Sequence, residues 1–201
     1  MFGMTLLGVG GVSAVGFVAL ARAVAGRDTS HRDGEVRSRF PKRRNRRTKR
    51  AAAALGPLGK EWVHAPLAIG VAAYAWRQGA GAGALAPPLA SAAGTALSRI
   101  FERAMPHRSP PPGRHSPTEP SFPSGHSLET MAVALTSAYV LTREELLSAR
   151  VALPVALVVP VVSGLGRLYL DRHWGSDVLG GWLAGITVAT LCAAVYERLA
   201  E

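Results

Sequence analysis

Apolar residues in this chain gather in long runs rather than alternating with polar ones, and six runs approach the roughly 20 residues that cross a bilayer core. They fall at about residues 3–21, 61–76, 80–98, 125–142, 150–170 and 177–196. Period-two alternation is absent, which argues against strands. The expectation is an all-α integral membrane protein, a bundle of about six transmembrane helices forming a single domain over residues 1–201. Trp62 and Trp76 bracket the second run in the manner of interfacial belt residues. The third is rich in Gly and Ala, which let helices approach closely in lipid, and its central Pro87-Pro88 pair predicts a kink. The first run ends in Ala-x-Ala patterns but has no basic segment before its apolar core, so it is taken as a span rather than a cleavable signal.

Between these runs the chain is polar in two distinct ways. Residues 22–60 form a basic loop; from Arg22 to Arg50 there are twelve Lys or Arg and three acidic residues. The run from Arg43 to Arg50 carries no interleaved aromatics and lies between apolar spans, so the net charge of +10 points to membrane topology, and no nucleic-acid partner is expected. By the positive-inside rule this loop is cytoplasmic. Six alternating spans would put the third-to-fourth and fifth-to-sixth loops on the same side. Arg outnumbers Lys 20 to 3, the bias of a high-GC bacterial genome, so the expected location is a bacterial inner membrane, crossed several times. The other polar stretch, Pro106 to Pro120, has too many prolines to be helical throughout and predicts a loop.

Composition adds two restrictions. Hydrophobic residues make up 48% of the chain and aromatics 6%, a membrane-like balance. The single cysteine, Cys192, lies within an apolar run, so neither a disulfide framework nor a thiolate metal cluster is available. Its expected role is a small hydrophobe on a buried helix.

Candidate chemistry sits in two loops, 99–126 and 166–177. Ser121-Phe122-Pro123-Ser124-Gly125-His126-Ser127 opens the fourth apolar run. A Ser-Gly pair at a helix N-terminus offers free amides, a hydroxyl and the positive dipole end, all suited to phosphate, although Ser124 could also be a simple N-cap. His126 beside it could donate or accept a proton. The second cluster, Arg167 to Asp177, meets the membrane boundary between runs five and six. If the helix begins near residue 173, His173 and Asp177 stand at i and i+4, so Asp177 could hold one ring nitrogen and free the other for attack. Arg167 has the planar fork that matches two phosphate oxygens. Taken alone, the cluster could equally anchor helix ends at the interface.

Together these residues resemble the type 2 phosphatidic acid phosphatase (PAP2) superfamily, which also includes vanadium-dependent haloperoxidases. Pro123-Ser124-Gly125-His126 matches its second motif intact, and Arg167, His173 and Asp177 match the spacing of the third, with Gly166 in place of a Ser. The first motif, Lys then six residues then Arg-Pro, is absent. Aligning Leu97-Ser98 on the usual Leu-Lys pair leaves Met105-Pro106 at Arg-Pro; a shifted register using Arg99 or Arg103 together with Arg108 keeps the charges and is the register taken here. The resemblance implies a lipid phosphatase needing no metal or cofactor. His173 would attack phosphorus, Asp177 would steady its imidazolium, and His126 would protonate the leaving oxygen. Arg167, Ser124, Gly125 and Arg99, Arg103 and Arg108 would bind the non-bridging oxygens. No carboxylate cluster suited to two-metal phosphoryl transfer occurs in the sequence.

A cytoplasmic site would suit phosphatidic acid, a phosphoinositol lipid or a polyprenyl-linked phosphosugar; an outward site would suit undecaprenyl pyrophosphate or phosphatidylglycerophosphate. The other functions in play are a haloperoxidase-like enzyme and a catalytically inactive lipid-binding or transport relative.

Overall fold

The computed structural model describes residues 2–40, 45–106, 108–111 and 121–200, with the side chains of 2–4 and 200 left aside. Part of the basic run (41–44) and most of the proline-rich loop (112–120) therefore lie outside the described residues. Eight α-helices occupy the rest: α1 Phe2–Ala25, α2 Ser30–Ser38, α3 Arg46–Ala54, α4 Glu61–Arg77, α5 Ala86–Ala104, α6 Gly125–Arg143, α7 Ala149–Tyr169 and α8 Gly175–Ala200. No strand occurs among the described residues. Six of the helices are long and overlap the six apolar runs, the third with a shift; α2 and α3 are short helices in the basic stretch, where the sequence predicts a loop.

The third run is not a kinked span. Pro87 and Pro88 lie in the first turn of α5, where their missing N–H groups would have no intrahelical partner anyway, and residues 81–85 ahead of them form a 3-10 turn. Helix α5 then runs on to Ala104, past the expected end. The prolines inside helices are Pro66 in α4 and Pro154 and Pro160 in α7.

Among the described residues, α1, α7 and α8 are long and apolar enough to cross a membrane, with windows of mean hydropathy 1.8, 1.9 and 1.9. Helix α4 falls short in length, with 17 residues, and α5 and α6 fall short in hydropathy; all three carry polar side chains that face one another. His64 of α4 is buried, its Nδ1 3.0 Å from Ser91 Oγ of α5 and its Nε2 2.6 Å from Glu129 Oε2 of α6. In a low-dielectric interior such groups persist only when paired, so this cluster both lowers the hydropathy and fixes how the three helices meet. Outward positions remain apolar: Val12, Val15, Leu67, Ile69, Val155 and Val158 are exposed, as lipid-facing residues would be.

Helix α8 is the axis, packed against α6 and α1. The contact with α6 is a backbone contact. A Cβ at Gly181 would stand 2.6 Å from the Ser124 carbonyl oxygen, so only glycine lets the two helices close at the motif. At that end Phe17, Ala21, Val24, Phe122, Leu128 and Ala184 form one core, with Phe17 edge-on to Phe101 at 4.8 Å. The opposite end is packed by small residues around Val140, Cys192 and Tyr196, with Cys192 buried among them as expected. There Tyr139 and Arg143 bind the Glu197 carboxylate, each at its shortest 2.6 and 2.7 Å.

Candidate active site

The two motifs meet at the α6 and α8 N-termini. The Ser124 amide donates to the Asp177 carbonyl at 3.0 Å, joining the Pro-Ser-Gly-His turn to the first turn of α8. Ser124 occupies the N-cap position of α6, but its hydroxyl makes no capping bond and instead accepts from Ser127 Oγ at 3.1 Å. Its own proton is thereby left to donate elsewhere. Gly125, the first helical residue, faces α5 so closely that a Cβ would lie 2.7 Å from Ser98 Oγ.

Helix α8 begins at Gly175, two residues later than the sequence suggested, so His173 and Trp174 belong to the preceding turn. Asp177 is then a first-turn residue. Its Oδ2 accepts the Trp174 amide at 2.8 Å, satisfying a donor that the helix itself leaves open. That oxygen is 3.8 Å from His173 Nδ1, close enough for charge but not for a hydrogen bond. The ring is held instead by the Ser121 carbonyl, 3.0 Å from Nδ1. A carbonyl can only accept, so Nδ1 carries a proton, and in the neutral ring Nε2 carries the lone pair. Asp177, wholly buried, supplies the negative charge behind the ring, and the Ser121 carbonyl orients it.

A third element was not foreseen. Asp33 of α2, 3% exposed, accepts the Ser176 amide and hydroxyl, both at 2.8 Å, and pairs with Arg108 at 2.5 Å. Arg108 also donates to Ser176 Oγ at 2.8 Å and Asp177 Oδ1 at 3.2 Å, and lies over the Trp174 ring at 5.3 Å. Arg37, from the same helix, meets Asp171 at 3.2 Å. The local signal was present in the sequence only as an acidic residue in an otherwise basic stretch.

Of the other expected phosphate ligands, Arg167 lies in the last turn of α7, near His126. A 3-10 turn over residues 56–59 covers both it and His126: a Cβ at Gly56 would be 3.5 Å from Arg167 Nη1, and one at Gly59 would be 2.5 Å from His126 Cβ. One turn further along α6, Thr130 donates to the His126 backbone carbonyl at 2.6 Å. His126 Nε2, Arg167 Nε and Ser121 Oγ are buried with no hydrogen-bond partner among the described residues. Buried polar atoms rarely stay unmatched, and these three lie close to one helix N-terminus, whose free amides and dipole favour an anion.

Arg99 and Arg103 are not brought to this place. Arg99 is 58% exposed and pairs with Glu61 at 2.8 Å, and Arg103 is exposed near the end of α5. The position of α5 that touches Gly125 is Ser98, as in the unshifted register of the first motif. In that register Met105 also lies at the Arg of Arg-Pro, and it packs against the Phe17 core.

The family model for the PAP2 superfamily matches residues 82–201, more than half of the chain, and the chain belongs to that superfamily. It is 35% identical over 82 residues to phosphatidylglycerophosphatase B of Bacillus subtilis (strain 168); the match covers 39% of this chain and 40% of that protein's length. The fold matches the crystal structure titled the first transmembrane PAP2 type phosphatidylglycerolphosphate phosphatase from Bacillus subtilis, with a TM-score of 0.84, 94% of this chain and 96% of that one covered, and 23% identity. The all-α membrane bundle expected from the hydrophobic runs is therefore the fold.

Proposed function

We propose that this protein is a membrane phosphatase that removes a phosphate, as a monoester or from a pyrophosphate, from a phospholipid or polyprenyl-linked lipid through a phosphohistidine. The observation that carries the proposal is His173: its Nδ1 is tied to the Ser121 carbonyl, with Asp177 charge behind it, beside an α6 N-terminus ringed by unmatched polar atoms. Nε2 attacks phosphorus as the P–O bond to the lipid breaks, and His126, protonated once the phosphate dianion is bound against it, gives its proton to the departing alkoxide. Water then attacks phosphorus, its proton passes to His126, the P–N bond breaks and phosphate leaves. Arg167, Ser124 and the free amides from Gly125 onward stabilise the equatorial oxygens. The Asp177 charge favours the imidazolium-like phosphohistidine.

A lipid, rather than a soluble ester, is favoured by an apolar cleft of about 290 Å³ between α4, α6 and α7. It is lined by Leu58, Thr130, Val133, Leu141, Ala156 and Val159, among others. Leu58 belongs to the turn over His126, and Thr130 holds the His126 carbonyl, so the cleft opens beside the chemistry. The test is phosphate release by the detergent-purified chain from phosphatidylglycerophosphate, phosphatidic acid and polyprenyl mono- and pyrophosphates. Release should persist in EDTA and be lost in His173→Ala; activity retained in that variant would refute the mechanism. A protein that binds these lipids but hydrolyses none would be the inactive relative, and halide oxidation with added vanadate and peroxide would mark the haloperoxidase.

The site is further proposed to face the cytoplasm. The basic stretch supports this, because Asp33 and Arg37 of that stretch are bonded into the site end of the bundle.

A further inference from the structure

A phosphate monoester carries close to two negative charges near neutrality, and its transfer needs cations around the phosphorus. The cations that sequence spacing offers are mostly engaged elsewhere. Arg108 is bonded to two carboxylates, Asp33 and Asp177. Arg99 is paired with Glu61, and the α5 position facing Gly125 is the neutral Ser98. With Arg103 exposed near the end of α5, Arg167 is what remains of the expected set beside His126 among the described residues.

Two other cations lie near His126. Lys60 follows Gly59 directly and closes the 56–59 turn, its amide donating to the Pro57 carbonyl at 2.9 Å. Because Gly59 is pressed against the His126 ring, the base of the Lys60 side chain is fixed one residue from that ring. Arg172 is anchored by its amide to the Arg167 carbonyl at 2.9 Å and immediately precedes His173. Both side chains are exposed, and both lie within electrostatic reach of His126, together with Arg167 and His173. Arg172 reaches Arg167 in the same way. Like charges converging on one imidazole repel one another in the empty protein. A dianion placed among them turns that repulsion into attraction.

We infer that Lys60 and Arg172 form the second half of the phosphate clamp, taking in space the role of the first-motif cations that α5 lacks. The inference rests on the phosphatase reading for its substrate, a lipid phosphate, but the oxyanion site can be tested separately. The 56–59 turn becomes a positioning device, whose glycines let one cation be carried onto the face of His126.

Orthovanadate, a tetrahedral oxyanion that also mimics the phosphoryl transition state, is the probe, read by thermal stabilisation of the full chain in detergent alongside phosphate release. Lys60→Gln and Arg172→Gln should each raise the vanadate concentration for half-maximal stabilisation about tenfold or more, the order expected for one lost charge-assisted contact, and lower kcat/KM comparably. Lys60→Arg should restore most of both. Arg77→Gln, at the far end of α4, should change neither. Since both residues are exposed, the unliganded Tm of each variant should stay near wild type, and Lys60→Met serves if Lys60→Gln does not fold. Both neutral variants within about twofold of wild type in vanadate binding would overturn the assignment, as would a wild-type protein that vanadate does not stabilise. If wild type binds vanadate but hydrolyses no lipid, the phosphatase reading fails while the vanadate series still decides the clamp.

Discussion

Asp33 and Ser176, 143 positions apart, are joined by two hydrogen bonds of 2.8 Å, so that a carboxylate from the basic stretch closes the first turn of α8. The same carboxylate neutralises Arg108, which in turn touches Asp177. The stretch between the first two spans is thereby part of the site's scaffold.

Replacing Asp33 with Ala should leave Arg108 half-matched and the Ser176 amide bare. Removing one partner of a buried pair costs about 3 kcal/mol or more. The expected result is a clear fall in Tm in detergent, together with reduced phosphate release as the Asp177 turn loosens. An unchanged Tm would show that α2 does not hold the site.

The 56–59 turn predicts a contrast between two glycines. Gly59→Ala puts a methyl 2.5 Å from His126 Cβ, so either the turn or the imidazole must move, and activity should fall at least tenfold, the scale of a small misplacement near reacting groups. Gly70→Ala, in mid-α4 with nothing within 4 Å of the new methyl, should keep activity and gain up to about 1 kcal/mol in stability. Steady-state kinetics and thermal unfolding of the pair would decide it; equal activities would place the turn away from the chemistry.

His64 and Glu129 should behave as a coupled pair inside the bundle. Either His64→Leu or Glu129→Leu strands a buried polar partner and should destabilise by about 3 kcal/mol or more, whereas the double replacement should cost less than the sum. The measurement is a double-mutant cycle on detergent-solubilised protein. Strict additivity would mean that the 2.6 Å contact carries no coupling.

Topology has its own test. Reporters fused after residues 50, 80 and 115 should give a cytoplasmic signal at 50 and 115 and an external one at 80. An external signal at 50 would reverse the proposed orientation.

Most of the architecture was legible because bilayer thickness imposes one length on every span, and the hydrophobic runs record it. The third span was misjudged for a local reason. A proline pair inside an apolar run signals a kink only if the helix has already begun, and the run cannot show where the first turn lies. Likewise spacing picked out His126, His173, Asp177 and Arg167, which the fold brings to one end of the bundle, because two short motifs keep their spacing in the sequence. The first motif did not survive, and charge alone was a poor guide to its replacement.

The sequence by itself thus determined the helical membrane class, the two motif segments and the identity of the histidines, since each depends on residues close together in the chain. Only the tertiary structure decided which partner each charge serves. Arg108 faces Asp33 and Asp177, Arg99 faces Glu61, Ser121 rather than Asp177 receives the His173 proton, and the 56–59 turn covers His126. Those pairings join distant segments, and a buried charge takes the partner that packing sets beside it, which no local spacing encodes.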